Sequence, residues 1–157
     1  MQKVLQEIHA WLDREKVSYR SLHHVPTPTS EDSARVRGEA LETGGKALLL
    51  KIDDQFALFV MSAARKLNSK AIKKHFGAKK LRFANASELK VRTGLVPGSV
   101  PPFGRPIFEL DLYVDQSILA NEKIAFNAGS LTDSVIMPVN AYLKLAKPEI
   151  LEFTQPA

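Results

Sequence analysis

A lysine stands directly behind two glycines, Gly44-Gly45-Lys46, and ahead of an almost wholly apolar run, Ala47-Leu48-Leu49-Leu50. A lysine at the mouth of a buried strand is a stronger functional candidate than one on a helix surface. Two other stretches offer backbone rather than side chains. Gly94-Leu95-Val96-Pro97-Gly98-Ser99-Val100-Pro101-Pro102-Phe103-Gly104 is dense in glycine and proline, with Ser99 its single polar side chain. Proline bars it from helix and central strand, while glycine allows a backbone to approach a ligand closely. Asn127-Ala128-Gly129-Ser130 is the second. Rigid loops of this kind can aim N–H groups at a carbonyl oxygen or oxyanion, and losing one such donor costs about 10²–10³ in rate. A structured connection accounts for the same composition without chemistry.

Other chemistries lack their parts. With no cysteine there is no disulfide, no zinc–thiolate site and no thiol nucleophile. The chain has no G-x-S-x-G, no H-E-x-x-H and no phosphate-binding G-x-x-x-x-G-K-[ST]. No serine is flanked by an obvious base, and no pair of carboxylates stands out. His23 and His24 are adjacent, so on a strand they face opposite sides and do not chelate one metal. His9 falls inside a helix. Neither metal nor cofactor is expected. A reaction run on backbone donors needs a substrate that is already activated, such as an ester.

Net charge is +5 and unevenly spread. Arg65 to Arg92 holds ten Lys/Arg, among them Lys66, Lys70, Lys73, Lys74, Lys79 and Lys80, against one acid, Glu88. That segment carries +9, which leaves the remainder at −4. Concentrated positive charge suits a polyanion, because neutralising phosphates releases condensed counterions. A solvated lysine-rich helix is the plainer alternative. No segment reaches about 18 apolar residues and the start lacks a signal-peptide core, so a soluble cytoplasmic protein without membrane contact is expected.

The elements that must position these groups follow from periodicity and punctuation. Val4, Leu5, Ile8, Trp11 and Leu12 predict a helix over 2–15, and 17–25 reads as a strand broken by Pro26 and Pro28. Thr29 or Ser30 can cap a second helix, with Glu31 and Asp32 opposing its dipole. Residues 46–52 and 55–61 form a hairpin about Asp53-Asp54. Capped helices end at Gly77 and Gly94, with a strand at 80–84 between them. Strands follow at 107–114, 123–127 and 134–139, then a helix at 141–146 and a last strand at 150–153. The order lacks a regular βαβ period. It predicts one α/β (α+β) domain over 1–157, built around a mixed sheet flanked by helices.

Three motifs in order, Gly44-Gly45-Lys46-Ala47-Leu48, Gly98-Ser99-Val100-Pro101-Pro102-Phe103-Gly104 and Ile124-Ala125-Phe126-Asn127-Ala128-Gly129-Ser130, resemble the YbaK/ProRS-associated domain family. The family includes the editing insertion of bacterial prolyl-tRNA synthetases and free-standing trans-editing deacylases. The tail through Ser134-Val135-Ile136, Tyr142-Leu143 and Lys147-Pro148-Glu149 is most similar to the YeaK-like trans-editing branch. The resemblance implies a curved, partly barrel-like mixed sheet and hydrolysis of the ester joining a wrong small amino acid to tRNA, serine or threonine foremost, then alanine. It implies that Lys46 engages the terminal phosphate, that Gly98 and Gly129 present the catalytic loops, and that a ribose hydroxyl of the tRNA assists water. Thr29, Ser30, Glu31, Ser99, Pro101, Pro102, Phe103, Asn127 and Ser130 would line the pocket, with Pro101 and Pro102 as its size-excluding wall. They depart at 29–32 from the alanine-specific pattern. The acceptor end of an aminoacyl-tRNA is the implied partner, and a synthetase a second one. The alternative function is a non-catalytic tRNA- or synthetase-binding module of the same fold.

Overall fold

The apolar stripe at the start is buried as its spacing predicts: α1 (Lys3–Arg14) buries Val4, Leu5, Ile8, Trp11 and Leu12. The computed structural model describes residues 2–157. β1 (Arg20–His23) is shorter than expected, because the Val17 amide closes the end of α1 on the Leu12 carbonyl. α2 (Ser30–Arg37) starts on a Thr29 cap and stops at left-handed Gly38. One 3-10 turn, Leu41–Thr43, leads into β2 (Gly45–Ile52) and β3 (Gln55–Ser62), paired antiparallel along their whole length. The basic segment folds as β4 (Arg65–Leu67), α3 (Ser69–Phe76), β5 (Leu81–Phe83) and α4 (Ala86–Thr93). Asn68 and Asn85 cap its helices, and Gly77 and Gly94 end them. After the Gly/Pro loop come β6 (Asp111–Asp115), α5 (Gln116–Leu119), β7 (Lys123–Asn127), β8 (Asp133–Pro138), α6 (Val139–Ala146), β9 (Glu149–Leu151) and β10 (Thr154–Pro156).

The strands form a five-stranded sheet ordered β5-β2-β3-β6-β9, a three-stranded sheet ordered β1-β8-β7, and the pair β10-β4. The large sheet is mixed: β3–β6 and β6–β9 run parallel, the other pairs antiparallel. Its central strand β3 is buried from Ala57 to Ser62. One face carries Leu49, Leu58, Val60 and Val114 against α1 and Phe103, Phe126 and Tyr142. The other carries Leu50, Phe59 and Met61 against Ile72 of α3 and Phe153. An isolated parallel bridge, Gly44↔Ala125, joins the two larger sheets. That approach requires glycine at 45, where a Cβ would stand 2.7 Å from Cδ1 of Ile124. The sheets stay open rather than closing into a barrel.

Three differences from the sequence reading have local causes. The strand predicted from Ile107 begins only at Asp111, since the Ile107 and Phe108 amides both donate to the Gly104 carbonyl and turn the chain. The β4–β10 pair was illegible because neither Arg65-Lys66-Leu67 nor Thr154-Gln155-Pro156 alternates. α5 is a single turn capped by Asp115, whose carboxylate accepts the Ser117 amide at 2.9 Å.

Candidate active site

A cleft of about 420 Å³ opens where α2, the start of β2, the Gly/Pro loop and the end of β7 meet. Lys46 enters it from β2 and is exposed. Thr29 and Ser30 enter from the start of α2, Gly98 from the loop and Asn127 from β7. These five predicted residues share one space. Apolar wall comes from Leu48, Val100 and Leu131. Among the described residues no carboxylate and no imidazole lines it.

The two glycine loops are zipped together. The Gly129 amide donates to the Ser99 carbonyl at 2.9 Å, and Asn127 Nδ2 donates to the Gly98 carbonyl at 2.7 Å. Ser99 is buried and turns inward, its hydroxyl and its amide both donating to the Val96 carbonyl. Gly98 and Gly129 hold φ of 87° and 92°, left-handed backbone that favours glycine. The Gly98 and Val100 amides, by contrast, have no acceptor among the described residues. Both residues border the cleft, so the loop beside it carries two backbone donors with no partner among the described residues.

Arg37 was not anticipated. It is buried on the last turn of α2 and lines the cleft. Its Nε donates to Ser134 Oγ at 2.9 Å and its Nη2 to Asn127 Oδ1 at 3.0 Å. Burial pulls its pKa down to about 10, which leaves it cationic at neutral pH. Neither Arg37 nor Lys46 takes part in an ion pair among the described residues. The cleft therefore holds two positive charges and no acid to balance them. A signal was present in the sequence: Ser30, Ser33, Ala34 and Arg37 fall at i, i+3, i+4 and i+7, one face of a helix, and all four line the cleft. The face is polar, so a search for apolar stripes passes over it.

Several predicted residues lie elsewhere. Pro101, Pro102 and Phe103 are buried in the core and do not wall the cleft. Phe103 packs edge-on against Trp11, Phe126 and Tyr142, and the Pro102 carbonyl accepts the Tyr142 hydroxyl. Gly129 is packed against Gln2 and Val4 and has spent its amide, so it offers no donor to a ligand. Ser130 donates to Asp133 at 2.6 Å. Glu31 is exposed outside the cleft. Asp32 serves the cap: its carboxyl is held below its usual range by hydrogen bonds from Thr29 and then Arg35. His23 turns to Asp133 and His24 to Ser134, each at 2.8 Å. A larger hollow of about 830 Å³ between Trp11, Tyr113 and Lys147 contains none of the predicted residues, and its Arg105 is paired with Glu109 and Asp111.

The basic segment lies outside the cleft. Lys70, Lys73 and Lys74 are exposed on α3, Lys79 and Lys80 on the turn before β5, and Lys66 on β4. None of the six is ion-paired among the described residues. Arg82 is held by Glu88 at 2.8 Å, and Arg92 covers the Phe56 ring at 4.4 Å. No described helix is long and apolar enough to cross a membrane.

Residues 24–145 match the model of the aminoacyl-tRNA editing domain. The chain is 32% identical to the multifunctional Ser/Thr-tRNA deacylase ProXp-y of Escherichia coli (strain K12), covering 97% of this chain and 93% of that protein. It is 25% identical to the prolyl-tRNA editing protein ProX of Acetoanaerobium sticklandii, over 90% of each. A crystal structure of a candidate trans-editing enzyme for prolyl tRNA synthetase superposes with a TM-score of 0.85 at 19% identity, covering 99% of both chains. That likeness speaks to fold alone.

Proposed function

Because the chain belongs to the aminoacyl-tRNA editing domain family, we propose that it is a trans-editing deacylase that hydrolyses the ester of a mischarged small amino acid on tRNA, serine or threonine foremost and alanine next. One observation carries the reading: the cleft holds two unbalanced cations and is bordered by a loop with two unpartnered backbone amides, with no side-chain base among the described lining residues. That set can bind phosphate and stabilise an oxyanion, and it leaves activation of water to the substrate.

We assign roles on that basis. The Lys46 ammonium pairs with a phosphate of the RNA terminus. Water adds to the ester carbonyl, and the oxyanion that forms is met by the Gly98 and Val100 N–H groups. A ribose hydroxyl of the tRNA assists the attack. The carbon–oxygen ester bond then breaks, and the departing ribose oxygen takes up the proton, releasing the free amino acid. The Ser30 hydroxyl suits a small polar side chain, and Leu48, Val100 and Leu131 bound the space left for it. A synthetase pocket separates amino acids one methylene apart by only about 1–3 kcal/mol, so a second sieve of this kind is needed. The exposed lysines of the basic segment, Lys66, Lys70, Lys73, Lys74, Lys79 and Lys80, contact the RNA backbone outside the cleft. A synthetase is the proposed second partner, and the cytoplasm, where tRNA is charged, the proposed setting.

The test is ester loss from a panel of mischarged tRNAs. Hydrolysis of seryl-, threonyl- or alanyl-tRNA supports the reading. Binding with steep salt dependence but without turnover on any of them would replace it with the non-catalytic module.

A further inference from the structure

We propose that Phe83 is a stacking platform for an unpaired base near the 3′ end of the RNA whose terminus enters the cleft; this rests on the tRNA reading above. Phe83 is 58% exposed and is the one aromatic among the exposed large hydrophobics of the described residues. It ends β5, the edge strand of the large sheet, in register with Leu50 of β2. Paired residues point to the same face, and along β2 that face recurs at Leu48 and Lys46. Leu50 is 1% exposed, packed in a cluster that includes Ile72 of α3, whereas Leu48 and Lys46 line the cleft. One sheet face thus runs from the phosphate-binding lysine to an uncovered aromatic ring.

The spacing suits a nucleic-acid strand. Four residues along β2 and one strand across place Phe83 roughly 14 Å from Lys46. At about 3.4 Å per stacked nucleotide that is a span of at most about four, and fewer in an extended strand. The charge matches as well. Lys79 and Lys80 precede β5, and α3, packed on this same face, exposes Lys70, Lys73 and Lys74. A base has a π-face whatever its identity, so an aromatic platform beside unpaired lysines holds a single strand without reading its sequence.

The test is a double-mutant cycle on affinity, independent of turnover. Uncharged tRNA and the same tRNA trimmed of its unpaired 3′ nucleotides are each titrated against the parent protein and Phe83→Ala. With the intact RNA, Phe83→Ala is expected to weaken binding about tenfold, and Phe83→Trp to restore it. With the trimmed RNA the substitution has no further effect. Melting temperature stays at the parent value, as an exposed side chain allows. An unchanged affinity for intact tRNA, an equal loss with both RNAs, or no measurable binding by the parent overturns the proposal. Loss of the deacylase reading alone would instead appear as intact binding without ester cleavage.

Discussion

Gly98 and Gly129 look equivalent in the sequence, each in a loop and each at positive φ, yet the structure separates their roles and so predicts different consequences for the same substitution. At Gly129 an added Cβ would lie 2.7 Å from Gln2 Oε1, 3.0 Å from Val4 Cβ and 3.1 Å from Val4 Cγ1. Gln2 Oε1 is the atom that caps α1 by accepting the Leu5 amide, so Gly129→Ala attacks the cap as well as the core residue behind it. A left-handed alanine costs about 1–2 kcal/mol. A lost cap costs about 1 kcal/mol and overpacking about 1–3. A total of about 3–6 kcal/mol lowers Tm by about 6–24 °C in a chain of this size. At Gly98 the nearest atom to a new Cβ is Leu131 Cδ2, at an ordinary 3.4 Å. Gly98→Ala therefore costs only the backbone strain, about 2–8 °C in Tm. Its damage falls on turnover, since it reshapes a backbone that borders the cleft. Thermal unfolding and single-turnover deacylation, run well below the lower Tm, read the two effects apart. Gly129→Ala should lose the more stability and keep its rate per folded molecule; Gly98→Ala should lose less stability and most of its turnover. A Gly129→Ala protein of parental Tm that has lost turnover would refute the assignment of the spent amide.

Lys46→Ala should lower kcat/KM about 10- to 100-fold, the worth of a charge-assisted hydrogen bond, while unfolding free energy stays within about 1 kcal/mol. Denaturant titration beside the kinetics checks this. Arg37→Lys keeps the charge but cannot reach Ser134 and Asn127 with one fork, so kcat should fall about tenfold or more, with a smaller change in KM. Asp115 contributes to acid stability: burial pushes its carboxyl up, yet hydrogen bonds from Ser117, Phe153 and Thr154 outweigh burial and leave it below the ordinary value. Its contribution is present above the unfolded carboxylate pKa, about 3.9, and is lost as pH falls through the lower folded one. Asp115→Asn should therefore flatten the acid limb of unfolding below about pH 4, followed by Trp11 fluorescence.

What the sequence made legible was what local chemistry decides. The stripe in α1 is a period, the Asp53-Asp54 hairpin is a turn between two apolar runs, and the caps at Thr29 and Asn68 are single residues before helices. The two glycine loops and Lys46 could be placed together only through the family resemblance, because their meeting is long-range. Where direction mattered, composition misled. Pro101, Pro102 and Phe103 are apolar in a loop near the site, and apolar residues in a loop can face a ligand or the core; Trp11, Phe126 and Tyr142 offer Phe103 a core. Arg37 was missed for the opposite reason, since a buried arginine declares itself only once its hydrogen-bond partners on β7 and β8 are known.

Those partners explain how a site with so few side chains can be rigid before substrate arrives. Arg37 and Ser134 both donate to Asn127 Oδ1, which fixes the amide so that its Nδ2 points at the Gly98 carbonyl. The Gly129 amide holds the neighbouring carbonyl, that of Ser99. Two successive carbonyls of the loop are thus pinned by one strand end, and the amides of Gly98 and Val100 on either side of Ser99 stay free in a fixed frame. Preorganised donors need no reorganisation as charge develops, the condition under which an oxyanion-type donor earns its full effect. The buried cation that secures this frame is costly, as its depressed pKa records. A neutral side chain packed in the same space would spare that desolvation but leave Asn127 free to turn.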